Sequence, residues 1–123
     1  MYVKEKREIQ HLNGGEVARR IVSGEVVYTT ENDRNIGKTT LILKIADVLN
    51  KPVIVRENYQ KKIYLEKVKE LGLNVKILSI KEEGANIEVF YNDFLIDELS
   101  EREFNKLQSK GHTISGFILS DEK

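Results

Sequence analysis

Apolar positions along the chain follow two spacings, continuous or alternating runs for strands and every third to fourth residue for helices, and the two take turns. Val26-Val27-Tyr28, inside Glu25 to Thr30, is a β-branched and aromatic run that predicts a short strand. From Thr40 to Asn50, Leu41, Ile42, Ile45, Ala46, Val48 and Leu49 form a broad apolar helical face. Lys51-Pro52 interrupts it, and Val53-Ile54-Val55-Arg56 follows as the kind of unbroken apolar run that parallel strands bury on both faces. Asn58 to Leu71 reads as a helix, with Tyr59, Ile63, Tyr64, Val68 and Leu71 on one side and Gly72 closing it. Leu73 to Ile80 reads as a strand again. Ile87 to Tyr91 and Phe94 to Ile96 then flank Asn92-Asp93, which fits either a hairpin over 87–97 or one strand broken by a bulge. Ser100 to Ser109 is a helix with explicit start signals: Ser100 and Glu103 make a capping box, Leu99 and Phe104 a hydrophobic staple, and Gly111 follows the end. Thr113 to Leu119 is the last strand.

Ahead of these, Asn13 with Glu16 three residues on is capping-box-like. It predicts a helix to about Val22 that buries Val17, Ala18 and Ile21, with Val22 as a further candidate, before Ser23-Gly24 stops it. Met1 to Leu12 has only Tyr2, Val3, Ile9 and Leu12 as apolar anchors, and a short helix or an irregular lead-in both fit. Strands alternating with helices imply βαβ units. The expectation is one α/β domain over 1–123, with 1–23 as a helical lead-in: a sandwich with a mostly parallel sheet of about four to five strands.

Composition narrows the partners. The chain has 123 residues, 40% hydrophobic and 33% charged, with one Pro, which suits a folded domain with a real core. Lys+Arg and Asp+Glu are both 20, so no net charge advertises nucleic acid or membrane. Zero Cys removes thiolate chemistry and Cys-ligated zinc and fits a reducing, cytoplasmic setting. No apolar run approaches the roughly 18 residues of a spanning helix. Lys61, Lys62, Lys67 and Lys69 are interspersed with Glu66 and Glu70, the mixture of a solvated helix face. His11 and His112 are the only histidines; neither has triad or metal spacing, and both read as turn or surface residues.

The stretch with chemistry in it is Asn32-Asp33-Arg34-Asn35-Ile36-Gly37-Lys38-Thr39-Thr40, between the first strand and the helix from Thr40. A strand, a polar loop ending Gly-Lys-Thr-Thr and then a helix point loop and helix-start amides at an anion. The segment resembles the first motif of the P-loop NTPase superfamily, G-x-x-x-x-G-K-[ST], and departs from it at its first position, where Asn32 stands for Gly. Asn is among the residues most tolerant of a left-handed backbone. The resemblance implies a three-layer α/β fold and a site in which Asn32, Asn35, Ile36, Gly37, Lys38, Thr39 and Thr40 cradle the phosphates of ATP, or less favourably GTP. In that site Lys38 reaches the β- and γ-phosphates and Thr39 ligates Mg²⁺.

Phe94-Leu95-Ile96-Asp97-Glu98 resembles the superfamily's second motif, an apolar strand ending in acids, in the branch where Glu follows the metal-directed Asp. By that resemblance Asp97 holds Mg²⁺ through water, and Glu98 orients or deprotonates the attacking water. Ser120, at the end of the last strand, is a further candidate for sensing the γ-phosphate. No Asn-Lys-x-Asp guanine-reading signature occurs, and spacing selects no arginine finger among Arg34, Arg56 and Arg102. Such a group is worth about 10³ to 10⁵ in rate, so hydrolysis by the isolated chain is expected to be slow or partner-dependent.

The competing expectation is a non-catalytic interaction module, an inhibitor or regulator whose loop is degenerate, acting through a protein partner or self-association. Small one-domain proteins with an Arg-x-x-Gly-Lys-Thr loop look like those of bacteriophages and mobile elements, which favours such a role.

Overall fold

The computed structural model describes residues 14–29, 38–81 and 93–119. Within them α1 (Gly14–Val22), β1 (Val26–Thr29), α2 (Lys38–Leu49), β2 (Val53–Val55), α3 (Asn58–Leu71), β3 (Ile77–Ser79), β4 (Asp93–Ser100), α4 (Glu101–Gln108) and β5 (Thr113–Leu119) follow one another. The five strands form one sheet in the order β1-β5-β4-β2-β3, with every neighbouring pair parallel.

Strand side chains alternate between two cores. Val27, Val53, Val55, Leu95 and Phe117 pack with Val17 and Ile21 of α1, Ile42, Leu43, Ile45 and Ala46 of α2, and Tyr64 and Val68 of α3. Val26, Tyr28, Ile54, Phe94, Ile96 and Ile118 pack with Phe104 and Leu107 of α4 on the opposite face. Helices therefore cover both faces, which is why a strand such as β2 is an unbroken apolar run. No helix among the described residues is long and apolar enough to cross a membrane.

Local chemistry sets most boundaries. Gly24, at φ +95°, and Gly72, at φ +70°, end α1 and α3 in the left-handed region that favours glycine. Ser100 accepts the Glu103 amide at 3.1 Å while Glu103 accepts the Ser100 amide at 2.9 Å, the expected capping box. Burial pushes the Glu103 carboxyl up, but the Ser100 amide and Arg56 (2.9 Å) outweigh it and hold it below its ordinary value.

Several expectations are corrected. The second helix runs from Lys38, two residues before Thr40, and Lys38 and Thr39 in its first turn are in contact with Glu98 and Asp97 of β4. Its buried face is completed by Leu43, whereas Val48 is 81% exposed; at about 100° per residue Val48 stands about 160° round the helix from Ala46. Val22, Tyr59 and Ile63 are exposed too, since α1 and α3 each turn a narrower stripe inward than the apolar count suggested. The strand expected over Leu73 to Ile80 shortens to Ile77–Ser79. His112 is buried rather than on the surface, tilted against Phe94 with ring centroids 5.2 Å apart. The first arm of the hairpin expected over 87–97 lies outside the described residues; the second, Phe94 to Ile96, is the middle of β4, flanked by parallel β2 and β5.

Candidate functional site

The carboxyl ends of the strands are where a parallel sheet presents polar groups to a ligand. β1 ends there at Thr29, and α2 starts there at Lys38. β4 does not stop at its acids, as the sequence suggested, but runs on to Ser100. Between the pairs Ile96↔Gly116 and Leu99↔Ile118, β4 has two residues, Asp97 and Glu98, opposite the single Phe117 of β5. That is a β-bulge, and Glu98 takes a left-handed φ of +63° inside it. The bulge turns both acids out of the ladder toward α2. Gly116 permits the arrangement: a Cβ there, at φ +127°, would run into the Ile96 backbone.

Four elements meet at these acids. The Lys38 ammonium of α2 donates to Glu98 Oε2 at 2.6 Å and lies 3.8 Å from Asp97 Oδ1, an ion-pair separation too long for a hydrogen bond. It also sits 6.0 Å from the Phe117 ring centroid, at the outer reach of a cation–π contact. From α3, the Tyr64 hydroxyl donates to Asp97 Oδ2 at 2.6 Å. Thr39 Oγ1 lies 3.5 Å from both that oxygen and the Tyr64 hydroxyl, close enough for weak bonds only.

Lys38 and Asp97 are 2% and 0% exposed, and Glu98 is 12% exposed, so this is a charge cluster largely out of water. Burial pushes the Asp97 carboxyl up to about 6, helped by the neighbouring Glu98 charge; Lys38, Tyr64 and Thr39 pull the other way without cancelling it. Burial first, and then the Asp97 charge, push the Tyr64 hydroxyl well above the ordinary tyrosine range, so it stays a donor. Asp97 Oδ1 is buried with no hydrogen-bond partner. Buried polar atoms are seldom left so, and a carboxylate with one orphaned oxygen, in a cluster that also holds the Thr39 hydroxyl and the Glu98 carboxylate, suits a hard cation. Among the described residues no three His, Cys, Asp or Glu side chains gather at one point. A cation here would therefore take one or two carboxylates plus oxygens from a ligand or water, the habit of Mg²⁺.

Of the residues singled out in the sequence, Lys38, Thr39, Asp97 and Glu98 come together. Thr40 follows half-buried in the first turn of α2, and the cluster's hydrogen bonds and ion pairs run through Lys38 and Thr39 instead. Asn32, Asn35, Ile36 and Gly37 lie outside the described residues, as do Arg34, His11 and Ser120. Arg56 is engaged with Glu103 at 2.9 Å, and Arg102 is exposed on α4. Tyr64 is the participant that spacing missed, since periodicity assigned it to the core face of α3. The available signal was its chemistry: a tyrosine on a buried stripe needs a partner for its hydroxyl.

No protein-family model, curated protein or solved structure matches the chain.

Proposed function

We propose that the chain binds a nucleoside triphosphate with Mg²⁺, ATP in preference to GTP, and hydrolyses it slowly or only with a partner's help. The observation that carries this reading is the convergence of a buried ammonium and a hydroxyl at the start of α2 with two carboxylates in the β4 bulge, Lys38 to Glu98 at 2.6 Å. The pattern Gly37-Lys38-Thr39, whose last two residues open that helix, resembles the end of a phosphate-binding loop, and the first-turn amides of α2 add the positive end of the helix dipole.

Each side chain has a part. Lys38 would exchange its Glu98 partner for phosphate oxygens, which carry more charge. Glu98, released from the ammonium, orients a water and accepts its proton. Thr39 and the free Oδ1 of Asp97 are the groups that would hold Mg²⁺, directly or through water. The bound ion supplies neutralisation of phosphate charge.

Following the melting temperature while titrating ATP with magnesium tests this. Ligand at 100 times its Kd adds about 2.7 kcal/mol to wild-type stability. Lys38→Ala should melt lower without ligand, because breaking a buried pair costs about 3–5 kcal/mol, and should show no ATP-dependent rise. Glu98→Gln should keep the rise and lose turnover. A wild-type melting temperature that ATP does not move removes the reading.

A second reading, a non-catalytic protein-interaction module, is favoured by the exposed apolar side chains of α2 and α3: Val48, Tyr59, Ile63 and Leu65 are 81%, 64%, 56% and 42% exposed. On that reading neither Lys38→Ala nor Glu98→Gln affects complex formation with its partner.

A further inference from the structure

Tyr64 enters the charge cluster from α3, a helix otherwise occupied with packing. If it only filled the core, a phenyl ring would serve with less desolvation, since a buried hydroxyl costs free energy unless it is bonded. Its hydroxyl is bonded, to Asp97 Oδ2 at 2.6 Å, and that single contact divides the carboxylate into two unlike oxygens. Oδ2 is held by Tyr64 and touched by Thr39, while Oδ1 is left with no hydrogen bond, 3.8 Å from the Lys38 ammonium. The bond from α3 restrains the orientation of the carboxylate, with one oxygen toward Tyr64 and the other toward Lys38. The helix is itself anchored to the sheet: Ser79 Oγ at the end of β3 donates to Asn58 Oδ1 at 2.7 Å, and Tyr64 and Val68 are buried one turn apart.

We propose that Tyr64 is a positioning residue for the metal half of the site, its hydroxyl holding Asp97 by Oδ2 so that Oδ1 is the oxygen offered to the magnesium that accompanies the nucleotide. This rests on the nucleotide reading above and names the residue that makes binding magnesium-dependent. Tyr64 does not touch the phosphates and acts only through Asp97. Its loss leaves magnesium-free binding intact.

The test is calorimetric titration of the full chain with ATP, once in magnesium and once in EDTA. The magnesium gain is the ratio of the two Kd values. Tyr64→Phe should cut the gain at least about tenfold, the usual cost of removing a group that orients a metal ligand. Its Kd in EDTA should stay at the wild-type value. Asp97→Asn should lose the gain as well, and adding Tyr64→Phe to it should change nothing further, as expected when one residue acts through the other. Should Tyr64→Phe not fold, 4-fluorophenylalanine placed at position 64 fills the place of the hydroxyl without donating. It should lower the gain in the same way at constant Kd in EDTA. A gain that neither change at position 64 alters overturns the proposal alone, as does equal weakening in magnesium and EDTA. A wild-type chain that binds no ATP in either buffer overturns it together with the reading beneath it.

Discussion

Asp97→Asn tests whether the site holds a carboxylate against its own preference. An ordinary aspartate in the unfolded chain ionises near 3.8, whereas burial raises Asp97 in the fold to about 6. Between those values the native state binds more protons than the unfolded state, so this group removes stability as pH rises from about 4 to about 6. At about 1.4 kcal/mol per pH unit the whole span is about 3 kcal/mol, of which about 2 falls between pH ~4 and pH ~7. The variant cannot ionise there. Its amide stands where Oδ1 already lacks a hydrogen bond, so any cost of the amide is the same at every pH. Urea denaturation of both chains at each pH gives the comparison. The stability of Asp97→Asn relative to wild type should improve by about 2 kcal/mol on going from pH ~4 to pH ~7. With about 2.1 cal/mol/K of unfolding entropy per residue, 123 residues convert that to about 8 °C in melting temperature. A relative stability that is flat with pH, or that worsens for the variant as pH rises, refutes the picture of a desolvated, disfavoured carboxylate.

Gly116→Ala should destabilise by at least about 3 kcal/mol, because a left-handed φ and a collision with the Ile96 backbone add together, and chemical denaturation reads it directly. A cost below about 1 kcal/mol, the range of an unstrained surface change, would mean that β4 and β5 are not in close approach beside Asp97. His112→Leu should be neutral or stabilising by up to about 1 kcal/mol, since both ring nitrogens are buried with no hydrogen-bond partner and leucine has nothing to satisfy. Thermal melts decide it, and a loss of more than about 2 kcal/mol would show that the ring makes a contact leucine cannot replace.

How much of this was legible follows from the range over which each feature is set. Helices α3 and α4 and strand β5 were readable because their boundaries are local: Gly72 ends one helix, the Ser100–Glu103 box starts another, and β5 is bounded by turn residues. The parallel sheet was readable as well, since runs such as Val53-Ile54-Val55 have no polar face to turn to water. What could not be read depends on neighbours distant in sequence. Val48 and Tyr59 are as apolar as Ile45 and Tyr64, and only the direction in which each helix packs separates exposed from buried. His112 follows a glycine in a polar stretch, yet Phe94 of the adjacent strand lies against it.

The candidate site divides along the same line. Lys38, Thr39, Asp97 and Glu98 are each visible as residue types in suggestive company, but their mutual distances belong to the sheet. Sequence spacing carries no information about a two-against-one bulge. That bulge, opposite Phe117 and made possible by Gly116, turns Glu98 to within 2.6 Å of an ammonium sixty residues earlier. Had β4 kept simple pairing through Leu99, Asp97 and Glu98 would have pointed to opposite faces of the sheet, since successive strand side chains alternate. Only one of them would then have reached Lys38. The bulge is therefore what brings two acids to one cation, and the cluster's chemistry depends on a glycine that bears no functional group at all.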